Sequence, residues 1–283
     1  MRRACLLVLA ACAPDLGPPE YLVDRPRVIA VQASPAEVAP GQAATFRVLA
    51  VGPDGPLDAS AAAWGLCTAP LPLTETGTVA SACAGDLPVV ARGSNPTLST
   101  SPDACSLFGP IATSETHRAR NPDATGGFYQ PMRVQTEGAT AFAQERLLCP
   151  LAQATLPVAL DFQRRYTPNQ NPTIERFAAS IPLDAVPKGT HVELTVTVGT
   201  ASMEVFPLFE PAPQALVDTS ETLTVSWYAT AGALLEAQTT VEGVSAQNEW
   251  IAPSTGGRTF LWAVLHDSRG GVDMAQLAPQ VAP

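Results

Sequence analysis

Lysine is almost absent from this sequence of 283 residues: Lys188 is the only one. Charged residues of every kind make up 15% of the chain, against the ~25% usual in globular proteins. Their balance is acidic, with 16 Lys and Arg against 26 Asp and Glu and a net charge of −10. No Lys/Arg stripe offsets that charge, so a phosphate backbone would be repelled and nucleic acid is excluded as a partner. Histidine is scarce too, at His117, His191 and His266. The chain has no H-E-x-x-H, G-x-S-x-G or phosphate-binding loop. It has no C-x-x-C and no cysteine beside a histidine, which removes the usual zinc ligand sets. Asp54, Asp58, Asp267 and Asp273 fall in or beside turns, but without a D-x-D-x-D run they read as aspartates satisfying their own backbone rather than binding calcium. The reading is non-enzymatic, with no metal and no cofactor; a hydrolase with a dispersed site is a third-ranked alternative. Nor does any stretch reach the ~18 apolar residues that cross a bilayer.

What the chain has in abundance is proline, at 28 residues, beside 20 glycines and an apolar fraction of 46%. Proline at this density interrupts helices and suits turns and strand edges, so the class expected is all-β. The length suits about two domains, each able to bury a core.

The N-terminus reads Met1-Arg2-Arg3, a basic start, then the apolar Ala4-Cys5-Leu6-Leu7-Val8-Leu9 and small Ala10-Ala11 before Cys12. Small residues there let a signal peptidase close on extended backbone. Leu9-Ala10-Ala11-Cys12 resembles the lipobox of bacterial lipoproteins. That resemblance implies a leader over 1–11, lipid attachment at the Cys12 thiol, and a cell-envelope location anchored through lipid. Ala13, where an acidic residue would signal retention, points by the same resemblance to the outer membrane. Residues 12–26, rich in proline, then form a semi-rigid tether.

Four cysteines remain, Cys67, Cys83, Cys105 and Cys149, and an even number in an exported chain reads as disulfides. Of three pairings, Cys67–Cys149 with Cys83–Cys105 is preferred, the first joining two strands of one sandwich; Cys67–Cys83 with Cys105–Cys149 is the alternative.

Strand signals come in two groups with the same opening. Arg27-Val28-Ile29-Ala30-Val31 runs into a turn, Val38-Ala39-Pro40-Gly41 turns again, and Ala44-Thr45-Phe46-Arg47-Val48-Leu49-Ala50-Val51 alternates as a strand with Phe46 and Val48 on one face. Trp64-Gly65-Leu66-Cys67 stands where an Ig-like sandwich has its third strand, with a Trp packed on a disulfide. The second group repeats this with Thr173-Ile174-Glu175-Arg176-Phe177, Val186-Pro187-Lys188-Gly189 and a strand carrying Val192, Leu194, Val196 and Val198 on one face. Leu223, Val225 and Trp227 alternate inward on a later strand. Phe260-Leu261-Trp262-Ala263-Val264-Leu265 is apolar on both faces and reads as central. Asp267-Ser268-Arg269-Gly270-Gly271 turns into the last strand.

The pattern resembles bacterial Ig-like and PKD-like modules. Several strings, among them Asp123-Ala124-Thr125-Gly126-Gly127-Phe128-Tyr129 and Val225-Ser226-Trp227-Tyr228-Ala229, look like those of uncharacterised delta-proteobacterial, myxobacterial-type lipoproteins.

The expected architecture is therefore two tandem Ig-like β-sandwich modules, at 27–154 and 173–283. The first carries a disulfide-stapled insertion over about 68–127, and a short helical linker spans 155–172. Thr155 caps that helix, Leu156, Ala159 and Leu160 line one side, and Arg164 and Arg165 lock the modules together through carboxylates. Pairing of 129–136 with 142–149 across Glu137-Gly138-Ala139 closes the first module. The function expected is structural, adhesive or assembly-related, through contacts with other envelope proteins. The alternative is a glycan-binding surface built on Phe128, Tyr129 and Trp250, whose rings would stack on sugars.

Overall fold

The computed structural model describes residues 17–85, 87–111 and 117–283. Cys12, Cys5, the apolar leader and the start of the tether lie outside the described residues.

Period-two patterning builds the first module. Its elements are β1 (Arg27–Ser34), β2 (Glu37–Val38), β3 (Ala43–Gly52), β4 (Gly55–Pro56), β5 (Ala63–Leu66), α1 (Ser81–Ala84), β6 (Ala91–Arg92), β7 (Thr97–Ser99), α2 (Ala104–Phe108), β8 (Phe128–Thr136) and β9 (Ala139–Leu147). On β3, Ala44, Phe46, Val48 and Ala50 are buried while Ala43, Thr45 and Arg47 face solvent, as alternation requires. One sheet runs β1-β3-β4 with β7 also on β3; the other runs β2-β9-β8-β5-β6. The chain changes sheets between β1, antiparallel to β3, and β2, parallel to β9. Phe46, Trp64, Met132 and Val134 meet between the sheets, with the Phe46 and Trp64 ring centroids 5.9 Å apart. β8 and β9 are joined by two residues, Glu137 and Gly138, with Thr136 opposite Ala139. The second strand therefore starts at Ala139, three residues before the 142–149 that the sequence suggested, and Gly138 takes a positive φ (76°) in the turn.

α3 (Leu156–Arg165) leads to the second module. That module comprises β10 (Ile174–Ala179), β11 (His191–Val198), β12 (Val205–Glu210), β13 (Ala215–Ser220), β14 (Leu223–Ala229), β15 (Ala233–Leu234), β16 (Gln238–Thr240), β17 (Ser245–Ile251), β18 (Gly257–Arg258), β19 (Leu261–Asp267), β20 (Val272–Leu277) and β21 (Gln280–Val281). Its sheets run β10-β11-β17-β15 and β16-β14-β19-β20, with β12-β13 and β18-β21 as separate ribbons. The inward faces anticipated from sequence, Val192, Leu194, Val196 and Val198 with Leu223, Val225 and Trp227, form its core. The whole is an all-β pair of Ig-like sandwiches. Among the described residues no helix is long and apolar enough to cross a membrane.

Four expectations change. The segment 68–127 is more than an insertion, because β6 pairs with β5 and β7 with β3, so parts of it complete both sheets. The tether is docked at its end: Val23 N–H donates to Ala229 O and Ala229 N–H to Tyr21 O, each at 2.9 Å. The Thr155 side chain makes no cap bond, and Leu156 and Leu160 face solvent, at 72% and 49% exposure.

The preferred disulfide pairing is also wrong: the bonds are Cys67–Cys83 and Cys105–Cys149, each with Cα atoms 5.5 Å apart. Cys67 follows β5 and Cys149 follows β9, with β8 between them. Two strand spacings, roughly 9–10 Å, exceed what a disulfide reaches. α1 and α2 instead carry Cys83 and Cys105 back to those strand ends, where the sulfurs pack with Phe108, Phe128 and Leu147. Trp64 belongs to the sandwich core rather than to a disulfide, and its Nε1–H donates to Gly93 O at 2.8 Å.

Non-reducing peptide mapping should recover these two linkages. Closing loops of 16 and 44 residues, they should contribute about 3 and about 4 kcal/mol respectively, as measured by urea unfolding of the two double Cys→Ser variants.

Candidate functional site

The two sandwiches meet at a seam that is apolar on one side and ionic on the other. The apolar part explains why β19 is hydrophobic on both faces. Leu261, Ala263 and Leu265 pack into their own core. Trp262 and Val264, on the opposite face, pack with Val23, Ile29, Ala30 and Val51 of the first module and its leading segment.

The ionic part is built on two turns of the same form. In Asp123-Ala124-Thr125-Gly126-Gly127, Asp123 Oδ1 accepts from Thr125 N–H at 2.9 Å and Gly127 N–H at 2.8 Å. In Asp267-Ser268-Arg269-Gly270-Gly271, Asp267 Oδ1 accepts from Arg269 N–H and Gly271 N–H, both at 2.8 Å. The second glycine matters in each turn. A Cβ on Gly127 would collide with the Arg146 guanidinium, and one on Gly271 with the Asp267 carboxylate.

Two arginines cross between these turns, and both are almost fully buried, Arg146 at 2% and Arg269 at 1% exposure. Arg146 Nε lies 3.5 Å from Glu37 Oε1, and its Nη1 donates to Tyr129 Oη and Thr125 Oγ1, each at 2.8 Å. Arg269 Nε donates to Glu221 Oε1 at 2.5 Å and Nη2 to Glu204 Oε2 at 2.6 Å, with the guanidinium 4.7 Å from the Phe206 ring centroid. The linker joins the halves: Tyr166 Oη–H and Asn169 N–H donate to Glu37 Oε2 at 2.7 and 2.8 Å, and Arg269 Nη1 donates to Thr167 O at 3.2 Å. Asn171 Oδ1 accepts from Val272 N–H at 2.8 Å, while its Nδ2 donates to Ala33 O at 2.5 Å. Arg164 and Arg165, expected as the lock, are half-exposed or more and pair with Asp161, Arg165 also with Asp218 of β13; they staple the linker to the second module alone.

Burial sets the ionisation here. Glu145, on the core face of β9 opposite Gln130, is fully buried, and neither carboxyl oxygen has a hydrogen-bond partner. Desolvation, with the nearby Glu37 charge adding to it, pushes its pKa up to about 9, so it is neutral at pH 7. Burial alone would raise Asp123, but the hydrogen bonds from Tyr129, Gly127 and Thr125 hold it below the ordinary carboxylate range. Burial lowers His266 in spite of Asp267, favouring the neutral ring.

Beside the seam lies a cleft of about 650 Å³, lined by Val28–Val31 of β1, 141–144 of β9, Arg120, Asn121, Asp123 and Gly127 to Tyr129 of the first module, and His266, Asp267, Ser268, Gly270 and Val272 of the second. Of the candidate ligand contacts, Phe128 is buried and packs on the disulfide cluster. Trp250 is fully buried in the other module's core, its Nε1–H donating to Ala231 O at 3.0 Å. Tyr129 spends its hydroxyl on Asp123 Oδ2 at 2.6 Å. The three do not form a stacking platform. Sequence reasoning missed Arg146, Arg269 and Glu145; the repeated D-x-x-G-G string was the one visible sign of the paired turns. Among the described residues no three His, Cys, Asp or Glu side chains gather as a metal site.

No family model matches the chain, and no curated protein matches it. Among solved structures it is similar to the D0–D1 domains of intimin at 11% identity, covering 89% of this chain and 98% of that one with a TM-score of 0.26. It is similar also to fibronectin(III)-like modules of Clostridium thermocellum CbhA (9% identity, 89% and 94% covered, TM-score 0.28) and to the Yersinia pseudotuberculosis adhesin InvE (9%, 88% and 58%, 0.25). Superpositions this loose carry nothing about binding to this chain.

Two variants test the seam. Arg269→Ala leaves buried Glu221 and partly buried Glu204 without their partner and should cost about 3–5 kcal/mol in urea unfolding; a loss near zero would mean that the ion pairs are idle. Glu145 binds its proton more tightly folded than unfolded, so its contribution is full below pH 4.5 and is lost as pH rises through about 9. Stability should therefore fall across that window with a slope of up to about 1.4 kcal/mol per pH unit from this group. Glu145→Gln should remove that slope and be the more stable form at pH 8; parallel profiles for the two proteins would contradict the assignment.

Proposed function

We propose that the chain is a cell-envelope lipoprotein, attached to the membrane through Cys12, that serves a non-enzymatic structural, adhesive or assembly role through contacts with other proteins. The observation that carries this reading is the seam. Buried arginines, their carboxylates and the linker amides fasten two sandwiches into one frame, and a rigid frame presenting loops and edges suits binding. Arg146 reaches across to Arg269 O, Arg269 reaches the linker at Tyr166 and Thr167, and Tyr166 donates to Glu37 of the first module.

Two disulfides support residence in an oxidising compartment. The Leu9-Ala10-Ala11-Cys12 string supports lipid attachment there, and Ala13 supports the outer membrane. Several acyl chains at one cysteine would hold the chain stably, where a single one would not.

In a bacterial host, the full chain should incorporate labelled palmitate and fractionate with membranes. Cys12→Ala should lose the label and the membrane association while keeping both disulfides. A mature protein that retains Met1 and carries no fatty acid would overturn the proposal.

A further inference from the structure

The docked N-terminal segment fixes the point at which the chain leaves the body. Leu22 N–H donates to Pro19 O, Val23 N–H to Ala229 O and Ala229 N–H to Tyr21 O, each at 2.9 Å. Arg27 Nη1 donates to Glu20 O at 2.8 Å, and its guanidinium lies 5.4 Å from the Tyr228 ring centroid. Val23 is fully buried with Ile29, Val51 and Trp262, while Tyr21 packs on the core of the second module. From Pro19 onward the segment therefore belongs to the body. Of the tether expected over 12–26, only Ala13 to Pro18 separate Cys12 from that body. Fully extended, the chain from Cys12 to Pro19 reaches about 25 Å.

Strand register shows which end of the frame this is. Ala229 stands opposite Leu261, and Leu261 opposite Leu277, at one end of β14, β19 and β20. Arg27, over Tyr228, stands opposite Val51 at the same end of β1 and β3. The turns after β3 and β8 gather there too, Gly55 against the Phe260 ring and Gly138 against Pro26. β1 then runs to the other end, where Gln32 Nε2 donates to Val272 O. That end holds the Asp267 turn, with Asp267 opposite Leu223. The Asp123 turn joins it through Tyr129 and Arg146, which both donate to Arg269 O. β19 is about 20 Å long, so the docked segment and the arginine seam stand at opposite ends of the frame.

We propose that the end carrying Gly55, Gly138 and Arg258 faces the headgroup layer of the bilayer to which Cys12 is attached, held there by the short tether, with the arginine seam and its cleft directed away. This rests on lipid attachment at Cys12 and adds an orientation to it. The covalent reach is what selects the bilayer as the occupant of this end. The docked segment cannot leave the surface by more than that reach, whereas the seam stands a further strand length out. Charge does not supply the contact. Glu20, Asp24, Asp54 and Glu137 are exposed at this end against Arg25 and Arg258, so acidic groups outnumber basic ones and anionic headgroups gain nothing from it. The affinity for the membrane lies in the acyl chains.

The test uses the full lipid-bearing chain in nanodiscs of phosphatidylethanolamine and phosphatidylglycerol that include a gadolinium-chelating lipid, with backbone amide relaxation as readout. The enhancement falls steeply with distance and the two ends lie a strand length apart. Amides of Gly55, Gly138 and Arg258 should therefore relax about tenfold faster, or more, than those of Gly127 and Gly271. Equal enhancement at both ends, as in a body lying flat, or stronger enhancement at Gly127 and Gly271, would overturn the proposal. A Gly/Ser insertion after Ala13, several times the length of the free segment, leaves every docked contact in place and should lower that ratio. An unchanged ratio would mean that something other than the tether sets the orientation, and would overturn it as well. The Cys12→Ala chain mixed with the same nanodiscs should show no enhancement at either end; enhancement there would reveal an affinity of the surface itself and contradict the tether account. Palmitate labelling reads lipid attachment beforehand on the same protein, so a chain that is labelled but not oriented fails this proposal alone.

Discussion

Two guanidinium groups buried between sandwiches set the terms for the rest of this molecule. Removing an arginine from water is costly, and the cost is met only when carboxylates, carbonyls and hydroxyls surround it in good geometry. Arg269 has Glu221, Glu204, Thr167 O and Tyr166; Arg146 has hydrogen bonds to Tyr129 and Thr125 and a longer ion pair, 3.5 Å, with Glu37. Those partners come from both modules and from the linker. The relative placement of the modules is thereby specified by the need to keep every one of them engaged.

The seam also accounts for features that look unrelated along the chain. The D-x-x-G-G turns recur because each brings an aspartate and close-packed backbone up to an arginine, and a side chain on Gly127 or Gly271 would fill the space. The segment after residue 166 cannot be helical, because its backbone and its Asn169 and Asn171 side chains are needed to bridge Glu37, Asp267, Ala33 and Val272. β19 is apolar on both faces because one faces its own core and the other faces the neighbouring module.

Much of the fold was legible because alternation in Phe46-x-Val48 or Val192-x-Leu194-x-Val196-x-Val198 reports directly on a buried face. The class, the repeated opening and the closing hairpins follow from that signal. Pairwise facts did not. Disulfide connectivity depends on which strand lies between β5 and β9, and a sheet order is not written in local sequence. The seam was illegible for the same reason: Arg146 and Arg269 are 123 residues apart, and each reads locally as an ordinary exposed charge. Conversely Trp250 and Phe128, which read as exposed stacking candidates, are core residues, since aromatic side chains beside polar neighbours carry no mark of which way they point. Short strands such as β6 and β7 went unseen because two or three residues show no period.

Residual dipolar couplings measured on the full chain in a dilute aligning medium address the central claim most directly, because they report the orientation of each module separately. If the buried arginine seam makes one rigid frame, couplings from both sandwiches will fit a single alignment tensor. Two tensors of different magnitude, one for each module, would show them moving independently and would contradict the account.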